Sequence, residues 1–210
     1  MTKLFKWCIT LVVCALIAIH GAVQTVAITS SQEVNSSYKM DETWFMVAKA
    51  AGYNVNFYPT SILSDSDLRS KADIFIITSG SSPISDNQRT NILQFLQSGG
   101  NIYIQSEYLP TLDDNKVFKY LIEKTGSAFE WAGTARNNIG PINVINGFET
   151  RLNDNQLDYF WFGTYGCGDG QVLPFIEVEG QYYAFYYRSV DSTLGNLISN
   201  FDHDWIRRIS

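Results

Sequence analysis

Cysteine and basic side chains are scarce in this sequence, and each shortage excludes a class of protein. The three cysteines are Cys8, Cys14 and Cys167, and the first two lie in an apolar N-terminal segment. Removal of that segment would leave Cys167 without an internal disulfide partner, so the domain must be stabilised by its core. The formal net charge is -6 and no basic stripe is present, so a nucleic-acid partner is not expected.

Several other signals are missing as well. The sequence contains no repeat, no low-complexity stretch, no linker, no metal-ligand cluster and no nucleotide-binding loop, so we expect a single domain without a cofactor. Hydrophobic residues make up 45% of the chain and charged residues 17%, which is typical of a globular protein. Aromatic residues are abundant, at 14%, and favour strands.

The N-terminus has the pattern of a signal peptide. Lys3 and Lys6 precede an unbroken apolar run over residues 7–19, and small residues follow. The run is shorter than the roughly 20 residues of a membrane span. Thr25-Val26-Ala27 predicts cleavage after Ala27 and a mature domain over residues 28–210, with a first strand that could begin near residue 23.

Two alternatives to that cleavage stay open: a second cleavage point after Ala22, and a retained anchor. We expect a bacterial protein exported to the periplasm or the cell exterior, without a stable membrane span after cleavage. The sequence ends at Ser210, and Trp205, Ile206 and Ile209 could begin the helix that normally covers a sheet of this kind after its last strand, so a shortened chain is a further hypothesis.

Strands and helices alternate in the first half. Unbroken apolar runs such as residues 72–78 predict strands buried on both faces of a parallel sheet. Ser85 is expected to cap a helix that Gly99 and Gly100 terminate. Strands are predicted over residues 23–29, 53–58, 72–78 and 101–106, and helices over residues 41–51, 64–70, 86–98 and 116–125.

Strands and loops dominate from residue 127 onward. Strands are predicted over residues 142–145, 159–162, 172–178, 181–188 and 196–201, with a two-residue hairpin turn at Glu179-Gly180. Repeated β-α-β units imply right-handed crossovers. The predicted fold is therefore α/β: a flavodoxin-like three-layer sandwich with a mostly parallel sheet and a strand-rich C-terminal half.

Three stretches carry a family resemblance: "ADIFIITSG", "SDNQRTNILQFLQSGGNIYIQSE" and "LGNLISNFDHDW". Their order over residues 23–205 resembles the class I glutamine amidotransferase-like superfamily. It is most similar to trehalose-utilisation-type proteins and uncharacterised exported domains of bacterial envelope proteins. The resemblance implies a catalytic elbow after the strand that follows Gly99-Gly100. The matching positions read Gln105-Ser106-Glu107-Tyr108, with neither the cysteine nor the flanking glycines of an active elbow.

A substitute catalytic set is nevertheless conceivable. By the same resemblance, His203 follows the last strand, where the family's histidine lies. Ser106 with His203 and Asp202 or Asp204 could act as hydroxyl, base and orienting acid, and Glu107 with His203 could share a water or a divalent metal. A histidine between two aspartates in a terminal loop can equally be a solvated or capping residue. Cys167, in the glycine-rich stretch "TYGCGDGQ", is interpreted as an inert loop thiol.

Tyrosine-rich strands form the other candidate site. Alternation places Tyr182 and Tyr186 on one face of "QYYAFYYR" and Tyr183, Phe185 and Tyr187 on the other. Trp161 belongs to a similar stretch, "YFWFGTY". If both faces are buried the rings are core, and if one is open it could bind a sugar or a protein partner.

The sequence thus favours an exported, non-catalytic binding or structural module with an unknown protein or carbohydrate ligand. Two alternatives are a hydrolase that uses Ser106 or Glu107 with His203, and a carbohydrate-binding surface that includes Tyr182, Tyr186 and Trp161.

Overall fold

A mixed ten-stranded sheet organises the chain. The computed structural model describes residues 23–29, 40–78, 83–105, 109–148, 160–187, 189 and 191–200. The strands in these ranges are β1 (Thr25–Thr29), β2 (Asn54–Tyr58), β3 (Ile74–Ile77), β4 (Asn101–Gln105), β5 (Phe129–Ile139), β6 (Asn143–Val144), β7 (Phe160–Gly168), β8 (Val172–Val178), β9 (Gln181–Tyr187) and β10 (Leu197–Asn200). The helices are α1 (Met40–Ala50), α2 (Asp86–Gln97) and α3 (Asp113–Lys124), and two short 3-10 helices span Thr60–Ser64 and Leu68–Ser70.

The sheet has a parallel part and an antiparallel part. Its order is β2-β1-β3-β4-β10-β9-β7-β5, with β8 also paired to β9 and β6 paired to β8. Strands β2, β1, β3, β4 and β10 are parallel neighbours, whereas β10 meets β9 antiparallel and the remaining pairs are antiparallel. The α/β class is confirmed. The expectation of a mostly parallel sheet is correct for the first half only, because the hairpins of the second half extend the same sheet.

Apolar clusters cover both faces of the parallel part. The first cluster packs α1 against one face, through Trp44, Val47 and Ala48. The second packs α2, α3 and the 3-10 helices against the other face. Successive strand residues alternate between them: Tyr103 belongs to the first cluster, and Ile102 and Ile104 to the second. The unbroken apolar runs of β3 and β4 therefore reflect burial on both faces, as predicted.

Side chains of the connecting segments fix where the helices begin. Ser85 Oγ accepts from the Gln88 amide, and Gln88 Oε1 accepts from the Ser85 amide at 2.8 Å, so α2 begins with the predicted cap as a full capping box. The helix predicted over residues 64–70 is instead the two 3-10 helices. Asp65 and Asp67 explain this difference, since each carboxylate accepts a backbone N–H of its own turn and competes with helical bonding.

Gly99 and Gly100 allow close packing of the backbone at the amino ends of β4 and β10. Gly99 ends α2 with φ +84°, and a Cβ on Gly100 would lie 2.4 Å from the Phe95 ring. A Cβ on Gly195 would lie only 1.8 Å from the carbonyl oxygen of Gly100. Two backbone segments thus touch at Gly100 and Gly195, which only glycine permits.

Hydrogen bonds lock the same contact. The amide of Gly195 donates to the Leu96 carbonyl at 2.9 Å, and Asn196 donates through its backbone amide to Asn101 Oδ1 at 3.0 Å. The Ile102 amide donates to the Asn196 carbonyl in return, at 2.9 Å. This joint fixes β10 beside β4 and lies at the edge of the sheet opposite the predicted elbow.

Strand β5 was not predicted, and β7 is longer than expected. Both strands contain glycines, which usually indicate loops. Here each of three glycines lies directly opposite an aromatic residue across the β5–β7 pair: Gly133 opposite Tyr165, Gly166 opposite Trp131, and Gly168 opposite Phe129. A Cβ on Gly133 would lie 2.4 Å from the Tyr165 hydroxyl and one on Gly166 would lie 2.9 Å from the Phe129 ring, so these two glycines make room for aromatic rings, whereas a Cβ on Gly168 would meet Val172. The stretch around Cys167 is consequently strand rather than loop.

The hairpin of β8 and β9 turns where predicted, but it contains a bulge. Glu179 and Gly180 have φ of +51° and +79°, as a two-residue hairpin of this type requires. Ala184 pairs with Ile176 and Tyr182 with Glu177, so Tyr183 is an extra residue on β9. The prediction that Tyr183, Phe185 and Tyr187 share one face is therefore wrong for Tyr183. Because of the bulge, Tyr183 joins the first cluster, whereas Phe185 and Tyr187 join the second.

Candidate functional site

Four neighbouring parallel strands end on fully buried polar side chains. These are Thr29 of β1, Thr78 directly after β3, Gln105 of β4 and Asn200 of β10, each 0% exposed. We call this set the carboxyl edge. In open α/β sheets, ligands bind outside the carboxyl ends of parallel strands, so this is the candidate functional site of the described chain.

The two threonines tie the ends of β1 and β3 together. The Thr78 amide donates to Thr29 Oγ1 at 3.2 Å, and Thr78 Oγ1 donates to the Thr29 carbonyl at 2.8 Å. These bonds extend the strand pairing past the last ladder residues. Thr29 and Thr78 therefore hold the edge in place and present neutral groups there.

The centre of the carboxyl edge combines amides with buried aromatic rings. Gln105 and Asn200 are register partners on β4 and β10. The Tyr103 hydroxyl donates to Asn200 Oδ1, and the Trp44 ring of α1 lies 4.7 Å from the Tyr103 ring, centroid to centroid. Burial raises the pKa of Tyr103 well above its usual value. This phenol is consequently a neutral hydrogen-bonding group at any physiological pH.

A second buried phenol lies at the start of β9. The Tyr183 hydroxyl donates to Gln181 Oε1 at 2.7 Å. Burial raises the pKa of Tyr183 to about 12, with smaller contributions from Tyr165 and Glu179. Like Tyr103, this residue therefore keeps its proton in the folded protein at an alkaline pH at which a tyrosine of the unfolded chain has lost it.

Alkaline pH should therefore destabilise the protein through these two phenols. Between pH 10 and 12 the unfolded chain releases protons that the folded chain retains, so the free energy of unfolding falls as pH rises, by about 1.4 kcal/mol per pH unit for each such group. Urea unfolding at pH 8, 10 and 11 measures this slope. Tyr103→Phe should reduce it, and Gly170→Ala, which changes no ionisable group and adds a Cβ with no heavy atom within 4 Å, should leave it unchanged. An unaltered slope in Tyr103→Phe would contradict the assignment.

The predicted catalytic residues lie outside the described residues. Ser106 and Glu107 directly follow β4, and His203 and Asp204 follow β10 by three and four positions. Because β4 and β10 are parallel neighbours, their carboxyl ends lie at the same edge of the sheet. The topology thus brings the ends of β4 and β10 to one edge, while the placement and roles of Ser106, Glu107, His203 and Asp204 stay predictions.

The predicted carbohydrate-binding surface consists of Tyr182, Tyr186 and Trp161, and we call it the tyrosine surface. Its two tyrosines differ in burial. Tyr186 is half-buried, donates through its hydroxyl to Asn196 Oδ1 at 2.8 Å and packs against Phe148. Tyr182 is 37% exposed and lies opposite Glu177. Trp161 belongs to β7, and its side chain lies outside the description. Of the two described members, Tyr182 is the more exposed and Tyr186 contributes to packing, while a ligand-binding role for Tyr182, Tyr186 and Trp161 stays a prediction.

Cys167 lies apart from the carboxyl edge. It is exposed on β7 and pairs with Glu130 of β5, which in turn accepts from Lys119 Nζ at 2.6 Å. The Lys119–Glu130 hydrogen bond raises the pKa of Lys119. Across the described ranges, no three metal-ligating side chains gather in one place. Nor do those ranges include a helix with the length and hydropathy that a membrane crossing requires.

Sequence reasoning missed the two buried groups next to the predicted elbow. Tyr103 and Asn200 sit inside runs that were interpreted only as strand core, "NIYIQ" and "LISN". A signal was present, since a tyrosine and an asparagine interrupt otherwise apolar runs just before the strands end. Buried polar residues in such positions require partners, and the pairing of β4 with β10 brings the Tyr103 hydroxyl to Asn200 Oδ1.

Comparison with known proteins finds similarity in fold but none in sequence. No protein-family model matches it, and no curated protein matches it in sequence. The solved N-terminal domain of mmIFT52 superposes with a TM-score of 0.62 at 13% identity, over 85% of this chain and 86% of that one. A cytoplasmic protein from Salmonella typhimurium gives 0.57 at 9% identity, over 89% and 98%.

ThuA-like proteins, which are the trehalose-utilisation type that the sequence resembles, are also among the similar solved structures. A ThuA-like protein from Parabacteroides merdae gives a TM-score of 0.50 at 11% identity, over 86% of this chain and 79% of that one. At such identities the likeness concerns the fold alone. The chain thus shares its α/β fold with solved proteins that include ThuA-like ones.

Proposed function

We propose that the chain is an exported, non-catalytic binding module with a flavodoxin-like, amidotransferase-like core, and that its ligand binds at the carboxyl edge. The observation that supports this most directly is the burial of Thr29, Thr78, Gln105 and Asn200 at the ends of four neighbouring strands. Hydroxyl and amide groups of this kind orient a ligand by hydrogen bonds, and a rigid sheet holds them in place.

The chemistry of these groups favours binding over catalysis. A general acid or base needs a pKa near the working pH, and neither a threonine hydroxyl nor a carboxamide has one. The elbow positions 105–108 read Gln-Ser-Glu-Tyr, so the thiol of the amidotransferase-like superfamily is not encoded there. Binding without covalent chemistry is therefore the function that this edge suits best.

Export is part of the proposal and rests on the leader-like N-terminus. Of the two cleavage points, Ala22 is the better supported, because strand β1 spans Thr25–Thr29 and its residues Val26 and Ala27 are fully buried. Cleavage after Ala27 would remove three of the five residues of β1. We therefore propose cleavage after Ala22 and a mature chain that begins at Val23.

The exposed ring of Tyr182 supports a carbohydrate surface as the second candidate function. Sugars stack on tyrosine rings, and Tyr182 lies on the same strand as the buried Tyr183, which would hold the surface in place. Because β9 runs antiparallel to β10, the start of β9 lies toward the carboxyl end of β10, and substitutions at Tyr182 and at Gln105 are needed to distinguish the two candidate surfaces.

A binding screen with matched variants tests the proposal. Oligosaccharides and peptides are screened for stabilisation of the chain from residue 23, and each hit is titrated against Gln105→Ala and Tyr182→Ala. We expect Gln105→Ala to weaken binding by about tenfold, which corresponds to one lost hydrogen bond at a buried site, and Tyr182→Ala to have no effect. The opposite pattern would move the site to the tyrosine surface.

The hydrolase alternative is tested separately, by measuring substrate turnover. Ester, amide and glycoside substrates are incubated with the wild-type chain and with His203→Ala. We expect no turnover by either protein. Turnover that disappears in His203→Ala while the melting temperature is kept would overturn the non-catalytic assignment.

A further inference from the structure

The outer edge of β2 carries backbone groups that have no partner among the described residues. β2 is the last strand of the sheet on that side, next to β1. The Asn54 amide donates to the Gln24 carbonyl at 3.1 Å, so the backbone groups of Asn54 point toward β1. Because successive residues of a strand point their N–H and C=O groups to opposite sides, those of Val55 and Phe57 point away from the sheet. Within the described part of the chain, β2 thus leaves two donors and two acceptors at a free edge.

This edge lacks the features with which proteins normally protect an outer strand. β2 reads Asn-Val-Asn-Phe-Tyr, without a charge or a proline, and its register with β1 is uninterrupted. By contrast β5, at the opposite end of the sheet, contains Glu130 and two shifts of register, and the outer strand β6 has only two residues. An outer strand without charge, proline or bulge pairs readily with another strand. The edge of β2 therefore indicates a partner that contributes a strand.

Apolar side chains line the same edge. Phe57 is 43% exposed, and its ring stacks on the ring of Phe45 from α1, with centroids 4.9 Å apart and an interplanar angle of 19°. Lys49 Nζ lies 5.8 Å from the centroid of the Phe45 ring, and Met46 of the same helix is 49% exposed. A partner strand at this edge would bury the exposed part of the Phe57 ring together with the free backbone groups.

Hydrogen bonding fixes a single register between this edge and a second copy of itself. If Val55 of one copy pairs antiparallel with Phe57 of the other, the two residues exchange two hydrogen bonds, and a two-fold axis passes between the Asn56 residues. A shift by two residues in one direction places Phe57 opposite Tyr53, whose amide already donates to a carbonyl of its own chain. The opposite shift places Val55 opposite Pro59, which has no N–H. Only the first register satisfies every free group on both strands.

The charges of α1 favour a second copy over a strand of another protein. α1 connects the parallel strands β1 and β2 and therefore runs antiparallel to both, so antiparallel pairing of two β2 strands also makes the two α1 helices antiparallel. Phe45 lies near the axis, because it stacks on Phe57. Glu42 lies about one turn before Phe45 and Lys49 about one turn after it. Glu42 of each copy thus faces Lys49 of the other, and opposite charges across an interface specify the partner.

We propose that the chain forms a two-fold dimer in which the β2 strands of two copies pair antiparallel and the sheet continues from one copy into the other. Val55 pairs with Phe57 of the second copy on both sides of the axis, and a β-branched residue opposite an aromatic one is a favourable cross-strand pair. The interface is self-complementary, as a two-fold interface must be. This inference goes beyond the proposed binding function and does not depend on it.

Sedimentation velocity of the wild-type chain from residue 23 tests the proposal, and we expect dimers at micromolar concentration. Phe57→Arg should weaken dimerisation by roughly tenfold or more, because it places two like charges beside the axis. Leu173→Arg is the matched control: Leu173 is also a partly exposed apolar residue, but it belongs to β8, which does not pair with β2. Its dimer should be unchanged. A wild-type chain that stays monomeric at about 200 μM would overturn the proposal, as would a dimer that Phe57→Arg leaves intact.

Exchange of charges tests the arrangement of the two helices. Glu42→Lys and Lys49→Glu each put like charges opposite one another on both sides of the axis, so each variant alone should dimerise about tenfold more weakly than the wild type. In a mixture of the two variants, opposite charges face each other again, and a heterodimer should form with an affinity close to that of the wild type. A mixture that dimerises no better than the separate variants, each with a wild-type melting temperature, would overturn the two-fold arrangement.

A single cysteine at the axis tests the register. A chain from residue 23 with Cys167→Ser contains no cysteine, so a new thiol is the only one present. Asn56→Cys places two thiols directly opposite each other, with Cβ atoms about 4.5–5.5 Å apart, and oxidation by copper–phenanthroline should cross-link the dimer. Asn54→Cys is the control, because its two copies would lie four residues apart along the strands, roughly 13 Å, beyond the reach of a disulfide. Cross-linking of Asn54→Cys, or none of Asn56→Cys, would overturn the proposed pairing.

Discussion

A chain that begins at Ile28 should fail to fold, whereas a chain that begins at Val23 should fold. The difference is five residues, of which Thr25, Val26 and Ala27 belong to β1. Val26 and Ala27 are fully buried, and the three residues pair with β2 on one side, while Val26 and Ala27 pair with β3 on the other. Their loss removes core side chains and ladder hydrogen bonds from a strand inside the sheet.

The position of the new amino group increases the effect. Ile28 is fully buried, so the shorter chain would place a charged terminus inside the core, at a cost of several kcal/mol. Val23 is 68% exposed, so the longer chain places the same charge in solvent. Far-ultraviolet circular dichroism and urea unfolding of the two chains measure the outcome.

Processing of the full sequence gives an independent check. Under the proposed export, N-terminal sequencing of the processed protein should identify Val23 as the first residue. A native-like unfolding midpoint for the chain that begins at Ile28 would show that β1 is dispensable, and cleavage after Ala27 would then be the better interpretation.

Gly195→Ala should be the most damaging single substitution of a glycine in the described chain. A Cβ at this position would lie 1.8 Å from the Gly100 carbonyl oxygen and 2.5 Å from its carbonyl carbon. Both atoms are backbone, so relief requires β10 to separate from β4. We expect a loss of roughly 3 kcal/mol or more in the free energy of unfolding, and a fall in melting temperature of roughly 6–12 °C.

Gly170→Ala is the matched control. It introduces the same methyl group, but a Cβ there would have no heavy atom within 4 Å, and the backbone is not in the left-handed region. Its melting temperature should stay within about 2 °C of the wild-type value, since surface substitutions of this kind have small effects. Equal melting temperatures for the two variants would show that the joint between Gly100 and Gly195 is looser than the distances indicate.

The parallel half of the fold could be predicted because its signals are local. The unbroken apolar runs of β3 and β4 and the Ser85 capping box each depend on residues close together in the chain. The antiparallel half depends on pairs that are distant in sequence. Gly133 looks like a loop residue until Tyr165 is known to lie opposite it, and the face of Tyr183 is set by a bulge that period-two alternation does not reveal.

The candidate site could be predicted in its location but not in its composition. The resemblance and the strand order both direct attention to the carboxyl ends of β4 and β10. The involvement of Trp44 could not be foreseen, because it comes from a helix more than 50 residues earlier and meets Tyr103 only through the packing of α1 on the sheet. The contact of Tyr103 with Asn200 spans 97 positions and depends on the same tertiary arrangement.

The position of β10 has a consequence for the timing of folding. β10 is the last strand in the described part of the chain, yet it lies in the interior of the sheet, between β4 and β9. During synthesis, β4 therefore has no partner on that side until residues 197–200 emerge, about a hundred positions later. Contacts of such long sequence separation close slowly. The parallel half of the sheet consequently cannot be completed before residues 197–200 are available.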